Sequence, residues 1–155
     1  MSLKEYEKKR DFRKTPEPRA STIPGKQGNL VYVIQKHKAS HLHYDLRLEE
    51  EGILKSWAIP KLPPQEENVK RLAVETEDHP LGYKDFEGVI PEGEYGAGKV
   101  EIWDKGTYLS LESNPGKRII EIKGHKLFGR YALIKLKPKD SKDKNWLFFK
   151  MKSPL

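Results

Sequence analysis

From Asn29 onward, apolar and polar residues alternate in short runs that are rich in β-branched and aromatic residues and are separated by turn residues. Such runs predict β-strands of five to seven residues. Nine runs fit this pattern: Leu30–Gln35, Leu42–Leu48, Ile53–Ile59, Arg71–Glu75, Lys99–Asp104, Gly106–Leu111, Arg118–Lys123, Arg130–Leu136 and Trp146–Lys150. The turn signals between them are Glu51-Gly52, Asp104-Lys105-Gly106, Asn114-Pro115-Gly116 and Lys123-Gly124. The pattern therefore predicts a mainly β fold, an antiparallel barrel or sandwich.

The chain has 155 residues, which is the length of one domain with a sizeable core. Residues 13–28 contain three prolines and two glycines and have no apolar period, which is typical of an ordered arm or a linker. Two short helices are predicted, one at residues 3–10 and one over Pro64–Lys70. We expect a single domain over residues 1–155, with an N-terminal arm at 1–28 and the β-domain at 29–155.

One glycine-rich segment, Gly88–Gly98 (GVIPEGEYGAG), does not fit a regular strand because it holds four glycines and one proline in eleven residues. A phosphate-binding loop is one interpretation, but the segment lacks the Lys-Ser/Thr ending and the following helix of a P-loop. The favoured prediction is a structural bend or bulge at a corner of the sheet.

Charge and composition narrow the function classes. The chain has 30 Lys and Arg against 23 Asp and Glu, a net charge of +7, and six of those charges fall within the first 40 residues. This excess favours a polyanionic partner, although a solvated basic surface also explains it. The absence of cysteine excludes disulfides, thiolate metal sites and a cysteine nucleophile. Because no apolar run approaches about 20 residues and no hydrophobic stretch like that of a signal peptide follows the N-terminus, we expect a cytoplasmic protein without a membrane partner.

The candidate chemistry lies in Gln35–Leu48 (QKHKASHLHYDLRL). On a strand, His41, His43, Asp45 and Arg47 share one face, with neighbours about 7 Å apart. The solvated face of an edge strand would have the same pattern. A metal site is favoured because three of the five histidines fall within seven residues and because His-x-Asp lets two ligands converge on one ion. Spacing leaves the third ligand open among His37, His41, His79 and His125.

A second polar cluster, Glu77-Asp78-His79-Pro80, is followed by Tyr83. Its simplest interpretation is a turn that holds a hydrogen-bonded histidine. Lys61 and Arg71 lie next to predicted strand ends, where they are either solvated or part of a site at the barrel mouth.

These residues resemble the 3′-phosphoesterase domain family of the bacterial multifunctional DNA ligase LigD. The similarity covers nearly the whole chain, in separated blocks that keep their order. The blocks are Arg10-Asp11-Phe12, Thr15-Pro16-Glu17-Pro18, VIQKH at 33–37, LHYDLRL at 42–48, SWAIPK at 56–61, RLAV at 71–74, EDHP at 77–80 with Tyr83, FEGVIPEGEYG at 86–96, Trp103-Asp104 and WLFFK at 146–150. The chain looks like the stand-alone form, and the resemblance implies a compact antiparallel β-barrel of about eight strands with short flanking helices.

The resemblance also implies a manganese-dependent enzyme that heals DNA 3′ ends, other divalent transition metals being possible cofactors. It would remove a 3′-terminal ribonucleoside and then the 3′-phosphate, leaving a 3′-hydroxyl on a DNA primer-template for a repair ligase or polymerase. We expect it to act as a monomer. The implied residues are the metal ligands His37, His43 and Asp45; the catalytic residues Arg47, His79 and Tyr83; Lys61 and Arg71, which join Arg47 and His79 at the phosphate; and the supporting residues Arg10, Asp11, Glu17, Gln35 and Glu77. His79 would either protonate the leaving oxygen or stabilise the transition state.

Two other function classes compete with this prediction. A basic barrel that binds nucleic acid without chemistry explains the charge but not the row of His, Asp and Arg. A non-haem iron oxygenase would use His43 and Asp45 with His79 or His125. Metal dependence separates the three classes, because an oxygenase needs ferrous iron and oxygen whereas a binding module is indifferent to EDTA.

Overall fold

A computed structural model describes residues 3–20, 30–137 and 143–152. Within these ranges the chain forms one short α-helix, one 3₁₀ helix and nine β-strands. The helix α1 spans Lys4–Lys8 and the 3₁₀ helix spans Leu81–Asp85. The strands are β1 (Leu30–Lys38), β2 (Leu42–Glu50), β3 (Ile53–Ile59), β4 (Lys70–Pro80), β5 (Gly88–Ile90), β6 (Gly98–Asn114), β7 (Lys117–Lys123), β8 (Phe128–Lys135) and β9 (Asn145–Lys150).

The strands close into an antiparallel barrel. Their order is β1-β2-β3-β4-β9-β8-β7-β6, and β6 pairs again with β1 to complete the ring, while β5 adds to the outer edge of β6. Closure leaves these eight strands without a free sheet edge. The predicted barrel of about eight strands with short flanking helices is confirmed.

Two predicted strands are in fact one. The turn predicted at Asp104-Lys105-Gly106 is wrong, because β6 runs without interruption through these residues. Gly106 is paired within the strand, and it is a glycine because the carbonyl of Lys123 on the neighbouring β7 leaves no space for a Cβ atom there. The first half of β6 pairs with β1 and the second half with β7, so this long strand closes the barrel. By contrast, the hairpin predicted at Glu51-Gly52 is confirmed, with a positive φ at both residues.

The helix predicted over Pro64–Lys70 is also wrong. This connection is irregular: Asn68 has a φ of 71°, Glu67 forms an isolated bridge with Lys150, and Lys70 already belongs to β4. A residue in the left-handed region ends any right-handed helix, which explains the failure. The helix predicted at residues 3–10 is present but shorter, as α1.

Along β2, side chains alternate between the apolar interior of the barrel and its outer face, where the candidate polar residues lie. The main core cluster receives side chains from all eight barrel strands, including Leu46 of β2 and Trp57 of β3. The odd-numbered residues of β2, from His43 to Glu49, point to the opposite face. There a second apolar cluster covers the barrel from outside, formed by Tyr6, Leu54, Tyr83, Phe86, Ile90 and Val100.

The arm packs against this outer face. Tyr6 of α1 has no exposed surface, and its hydroxyl donates a hydrogen bond to the carbonyl of Pro18. Residues 3–20 are therefore part of the folded domain, whereas the predicted arm residues 1–2 and 21–28 lie outside the described residues. No helix in the described ranges is long and apolar enough to span a membrane.

Candidate metal centre and phosphate pocket

The register of β1 against β2 brings two histidines and an aspartate together. His37 lies directly opposite His43, and Gln35 lies opposite Asp45, so that alternation places all four side chains on the outer face. One potential ligand atom from each of His37, His43 and Asp45 lies within 4.8 Å of the others, and they are the one such group in the described ranges. We call these three residues the metal triad. Of the histidines that spacing left open, His37 is the one that joins it.

Hydrogen bonds to carbonyl oxygens determine which imidazole nitrogens carry protons. His37 donates from Nε2 to the carbonyl of Gly96 at 2.7 Å, and His43 donates from Nδ1 to the carbonyl of His41 at 3.1 Å. Because a carbonyl only accepts, His37 Nδ1 and His43 Nε2 keep their lone pairs in the neutral rings. These two atoms face Asp45 Oδ2 at 3.8 and 3.2 Å. Two oriented imidazoles and one carboxylate fit a borderline divalent cation, and the carbonyl contacts fix the ligand orientation.

Charge around Asp45 keeps its carboxylate ionised. Burial opposes this, but the charge of the Arg47 guanidinium and the adjoining imidazoles of His37 and His43 lower the pKa of Asp45 well below its usual range. Burial also opposes protonation of His43, yet the Asp45 carboxylate accepts a hydrogen bond from His43 Nε2 once that atom is protonated, and this raises the pKa of His43 overall. Proton and metal therefore compete for the same lone pair at His43 Nε2.

Arg47 is buried beside the metal triad and held on two sides. Its Nε donates to Gln35 Oε1 at 2.6 Å, and its Nη1 donates to Ser56 Oγ at 2.8 Å. Gln35 is itself fixed, because its amide nitrogen donates to the carbonyls of Tyr83 and Phe86. The guanidinium retains three unassigned N–H groups, and Nη2 lies 3.5 Å from Asp45 Oδ2, so these donors sit next to the metal triad.

A β-bulge in β4 directs His79 into the same pocket. Leu54 and Ser56, two residues apart on β3, pair with His79 and Thr76, three residues apart on β4. His79 donates from Nδ1 to the carbonyl of Glu77 at 3.0 Å and accepts at Nε2 from Arg10 Nη2 at 3.4 Å, so the ring is neutral. Burial, Arg47 and Arg10 lower the pKa of His79 well below its usual value.

The N-terminal arm supplies the opposite wall of the pocket. Arg10 is buried between two carboxylates, with Nε 2.9 Å from Glu17 and Nη1 3.2 Å from Glu77. Glu17 also accepts the hydroxyl proton of Tyr83 at 2.6 Å. The Tyr83 ring packs against the Arg47 guanidinium, 4.8 Å from its centroid, and burial raises the pKa of its hydroxyl well above the usual value. Tyr83 thus contacts Arg47 through its ring, while its hydroxyl donates its hydrogen bond to Glu17.

Most of the candidate site residues line one pocket of about 260 Å³. Its lining includes the metal triad with Arg10, Glu17, Arg47, Glu77, His79 and Tyr83, while Gln35 lies fully buried behind Arg47. Lys61 and Arg71 instead line a separate cleft, where Arg71 donates to the carbonyl of Leu62. Asp11 pairs with Arg13, and His125 follows β7 with its backbone N–H bonded to Asp104.

Four residues that line the pocket or hold its side chains in place were not among the predicted site residues. Gly96 accepts from His37, Ser56 accepts from Arg47, Lys9 pairs with Glu77 at 2.7 Å, and Tyr95 lines the pocket entrance. Gly96 and Tyr95 belong to the glycine-rich segment, in which Gly93 and Gly96 have positive φ. Residues 91–97 of this segment form a turn between β5 and β6, in keeping with the predicted bend, whereas Gly88–Ile90 forms the strand β5, which was not predicted. The many glycines were the available sequence signal that this segment contacts the site.

Comparisons with known proteins agree with the family resemblance. The family described as the DNA ligase D 3′-phosphoesterase domain matches residues 35–135. The multifunctional non-homologous end joining protein LigD of Pseudomonas aeruginosa is 50% identical over 157 residues, covering 97% of this chain and 18% of that protein. LigD proteins of Mycobacterium bovis and Mycolicibacterium smegmatis are 45% and 47% identical, covering 97% of this chain and 20% of each protein. The chain thus spans about a fifth of the length of these relatives.

Proposed function

The chain belongs to the DNA ligase D 3′-phosphoesterase domain family, and on this premise we propose that it is a hydrolase that heals DNA 3′ ends for end-joining repair. Its substrate is a DNA primer-template whose primer ends in a ribonucleoside or a 3′-phosphate. Its product is a 3′-hydroxyl that a repair ligase or polymerase extends or seals. The protein acts as a monomer, as a single domain over residues 1–155 in which the barrel at 29–155 is completed by the arm at 1–28.

Two hydrolytic steps are proposed. In the first, water attacks the phosphorus of the last phosphodiester, the bond to the 5′-oxygen of the terminal ribonucleoside breaks, and a 3′-phosphate remains. In the second, water attacks that phosphate, the bond to the 3′-oxygen breaks, and inorganic phosphate leaves. In each step negative charge builds on the phosphoryl oxygens, and the leaving oxygen gains a proton.

The metal triad would hold the cofactor, which we propose to be Mn²⁺ or a related divalent transition ion. The support is the donor set, in which His37 Nδ1, His43 Nε2 and an ionised Asp45 face one another. When bound, such an ion neutralises phosphoryl charge and lowers the pKa of water.

Arg47 is proposed to bind a non-bridging phosphate oxygen. Gln35 and Ser56 each accept one of its N–H groups, and Nη2 lies 3.5 Å from Asp45 Oδ2, so donors are already held beside the metal triad and need not reorganise. Arg10 adds a second buried cation, anchored by Glu17 and Glu77. Tyr83 keeps Arg47 and Glu17 in place through its ring and hydroxyl.

His79 is proposed to move or hold a proton at Nε2. In the free protein the low pKa of His79 leaves Nε2 unprotonated. A bound phosphate brings negative charge close to the ring, which favours protonation at this atom. Acting as general acid, His79 would pass this proton to the leaving oxygen, and as a cation it would stabilise the charged transition state.

Lys61, Arg71 and Asp11 are proposed to act outside the pocket wall. Lys61 and Arg71 line a cleft of their own, where they would guide the primer phosphates during the phosphate-removal step. Asp11 accepts backbone hydrogen bonds from Lys14 and Thr15 through its carbonyl oxygen, and so supports the turn that presents Arg10 and Glu17.

The observation that carries the proposal is that the two histidines and the aspartate of the metal triad lie beside two buried arginines and His79 in one pocket. An oxygenase would share the two-histidine, one-carboxylate set and is separated by its need for ferrous iron and oxygen. Two buried guanidinium groups beside the metal triad match the negative charge of a phosphoester. A binding module would need no metal triad.

The test is to incubate a 5′-labelled primer, annealed to a longer template, with the protein in Mn²⁺, in Mg²⁺ and in EDTA. One primer ends in a ribonucleotide and the other in a 3′-phosphate. We expect both ends to become 3′-hydroxyls in Mn²⁺ and to persist in EDTA, with Asp45→Asn as the inactive matched control. Turnover that survives EDTA, or that matches the control, would refute the proposal.

A further inference from the structure

Tyr95 presents an exposed aromatic ring at the entrance of the phosphate pocket. It is 50% exposed, whereas Tyr83, the other tyrosine of the described pocket lining, is 2% exposed. No role in the two proposed hydrolytic steps uses this ring. An aromatic ring that is half exposed beside this pocket is available to stack on a nucleobase.

The ring is tied to the metal triad by the backbone. The neighbouring Gly96 carbonyl accepts the hydrogen bond from His37, and the loop is closed by hydrogen bonds from Glu94 to Pro91 and from Ala97 to Glu94. The position of Tyr95 is therefore coupled to that of a proposed metal ligand. A phosphate held beside the metal triad would have Tyr95 at a defined place next to it.

Cations flank the same ring. Lys9 Nζ lies 4.7 Å from the ring centroid and donates to the Tyr95 hydroxyl at 3.3 Å, and the Arg10 guanidinium lies 5.4 Å from the centroid. Proteins that bind single-stranded nucleic acid combine these two elements, an aromatic surface for a base and cations for the backbone.

We propose that Tyr95 stacks on the base of the terminal ribonucleoside and so selects for the phosphodiester substrate over the 3′-phosphate. This inference rests on the proposed function and names a specificity residue for it. The upstream base is paired to the template and stacked on its neighbour, but the terminal base has a free outer face. Because the scissile phosphate is held at the metal triad in both steps, the base beyond it exists in the first substrate alone.

The experiment measures kcat/KM in Mn²⁺ for the two primers, one with a 3′-terminal ribonucleoside and one with a 3′-phosphate. Tyr95→Ala should lower the ratio of the first value to the second by about 5- to 150-fold, the effect of losing one base–aromatic stack. Tyr95→Phe keeps the ring and should preserve the ratio, whereas Tyr95→Leu keeps apolar volume without a π-face and should behave like alanine. Phe128→Ala, which removes a 63% exposed aromatic outside the pocket, is the matched control.

A third primer, ending in an anhydroribitol that carries hydrogen in place of the base, completes a double-mutant cycle. On this primer Tyr95→Ala should add nothing to the loss caused by the missing base. An equal loss on all three primers, or a loss in Tyr95→Phe as large as in Tyr95→Ala, would overturn the stacking role and assign Tyr95 to holding Lys9 and Arg10. Failure of the wild-type protein to process either natural end would refute the proposed function itself.

Discussion

Replacement of Arg47 by lysine tests whether the buried guanidinium binds phosphate or merely balances charge. The substitution keeps one positive charge beside Asp45. It removes the planar fork, which donates at once to Gln35 at 2.6 Å and to Ser56 at 2.8 Å and leaves three further N–H groups at the pocket. A single ammonium group cannot replace these donors, since lysine acts as a point charge.

Two magnitudes follow from these contacts. Gln35 and Ser56 have no exposed surface, so at least one buried acceptor loses its partner, at a cost of about 1–3 kcal/mol in the free energy of unfolding. This lowers Tm by about 2–12 °C for a chain of this size. Loss of one preorganised group that meets developing charge lowers kcat by about 10²–10³-fold. The expected rate loss is far larger than any loss of folded protein at 25 °C, because domains are stable by about 5–15 kcal/mol.

The assay is steady-state hydrolysis of a 3′-phosphate primer in Mn²⁺, with Mn²⁺ affinity and Tm measured on the same preparation. Arg118→Lys is the matched control, because Arg118 is also largely buried and paired, to Glu50 at 2.9 Å, but does not line the pocket. We expect Arg47→Lys to bind Mn²⁺ and to lose kcat, while Arg118→Lys loses only stability. A kcat within threefold of wild type, about 0.7 kcal/mol, would refute the phosphate-binding role.

Three further predictions concern the metal triad, the arm and pH. Alanine at any one member of the metal triad should abolish Mn²⁺ binding and both activities, and normal turnover in such a variant would reject the assignment. His41→Ala should keep most activity, because the His41 side chain is exposed and its carbonyl is what contacts His43. Tyr6→Ala should lower the free energy of unfolding by about 3–5 kcal/mol, because Tyr6 is fully buried and its ring centroid lies 5.1 Å from that of His79. A denaturant midpoint equal to that of the wild type would show that the arm does not stabilise the domain. In EDTA, the Tm should fall less between pH 8 and pH 5.5 in His79→Gln than in the wild type. The low pKa of His79 keeps its ring neutral in the folded chain, whereas the unfolded chain binds a proton there below about pH 6.5, so acid destabilises the wild type. An equal fall in both proteins would contradict this prediction.

Sequence alone was sufficient where the physical cause is local. The two-residue period of β2 separates Leu46 and Leu48 from Asp45 and Arg47, and that alternation predicts both a barrel strand and a row of polar side chains on one face. The Glu51-Gly52 turn is equally local, since Gly52 accepts a positive φ without a steric penalty.

Local signals misled where a neighbour decides the conformation. Gly106 resembles a turn residue in the sequence, but it lies inside β6, and glycine is needed there because the backbone of β7 passes too close for any side chain. The segment Pro64–Lys70 has helix-forming residues, yet it is drawn into a bridge between Glu67 and Lys150 at the start of β4.

Assembly of the site depended on contacts between residues far apart in the chain. Spacing left several histidines open as the third ligand, and the antiparallel register that sets His37 opposite His43 is what selects one. Arg10 pairs with Glu77, and the Tyr83 hydroxyl donates a hydrogen bond to Glu17. Each contact joins segments more than 60 residues apart, so no sequence periodicity could predict it. The sequence by itself therefore determined that β2 holds candidate metal and phosphate ligands. Tertiary packing decided which residues from other segments contact these ligands, because their positions depend on how the barrel closes and how the arm folds back over it.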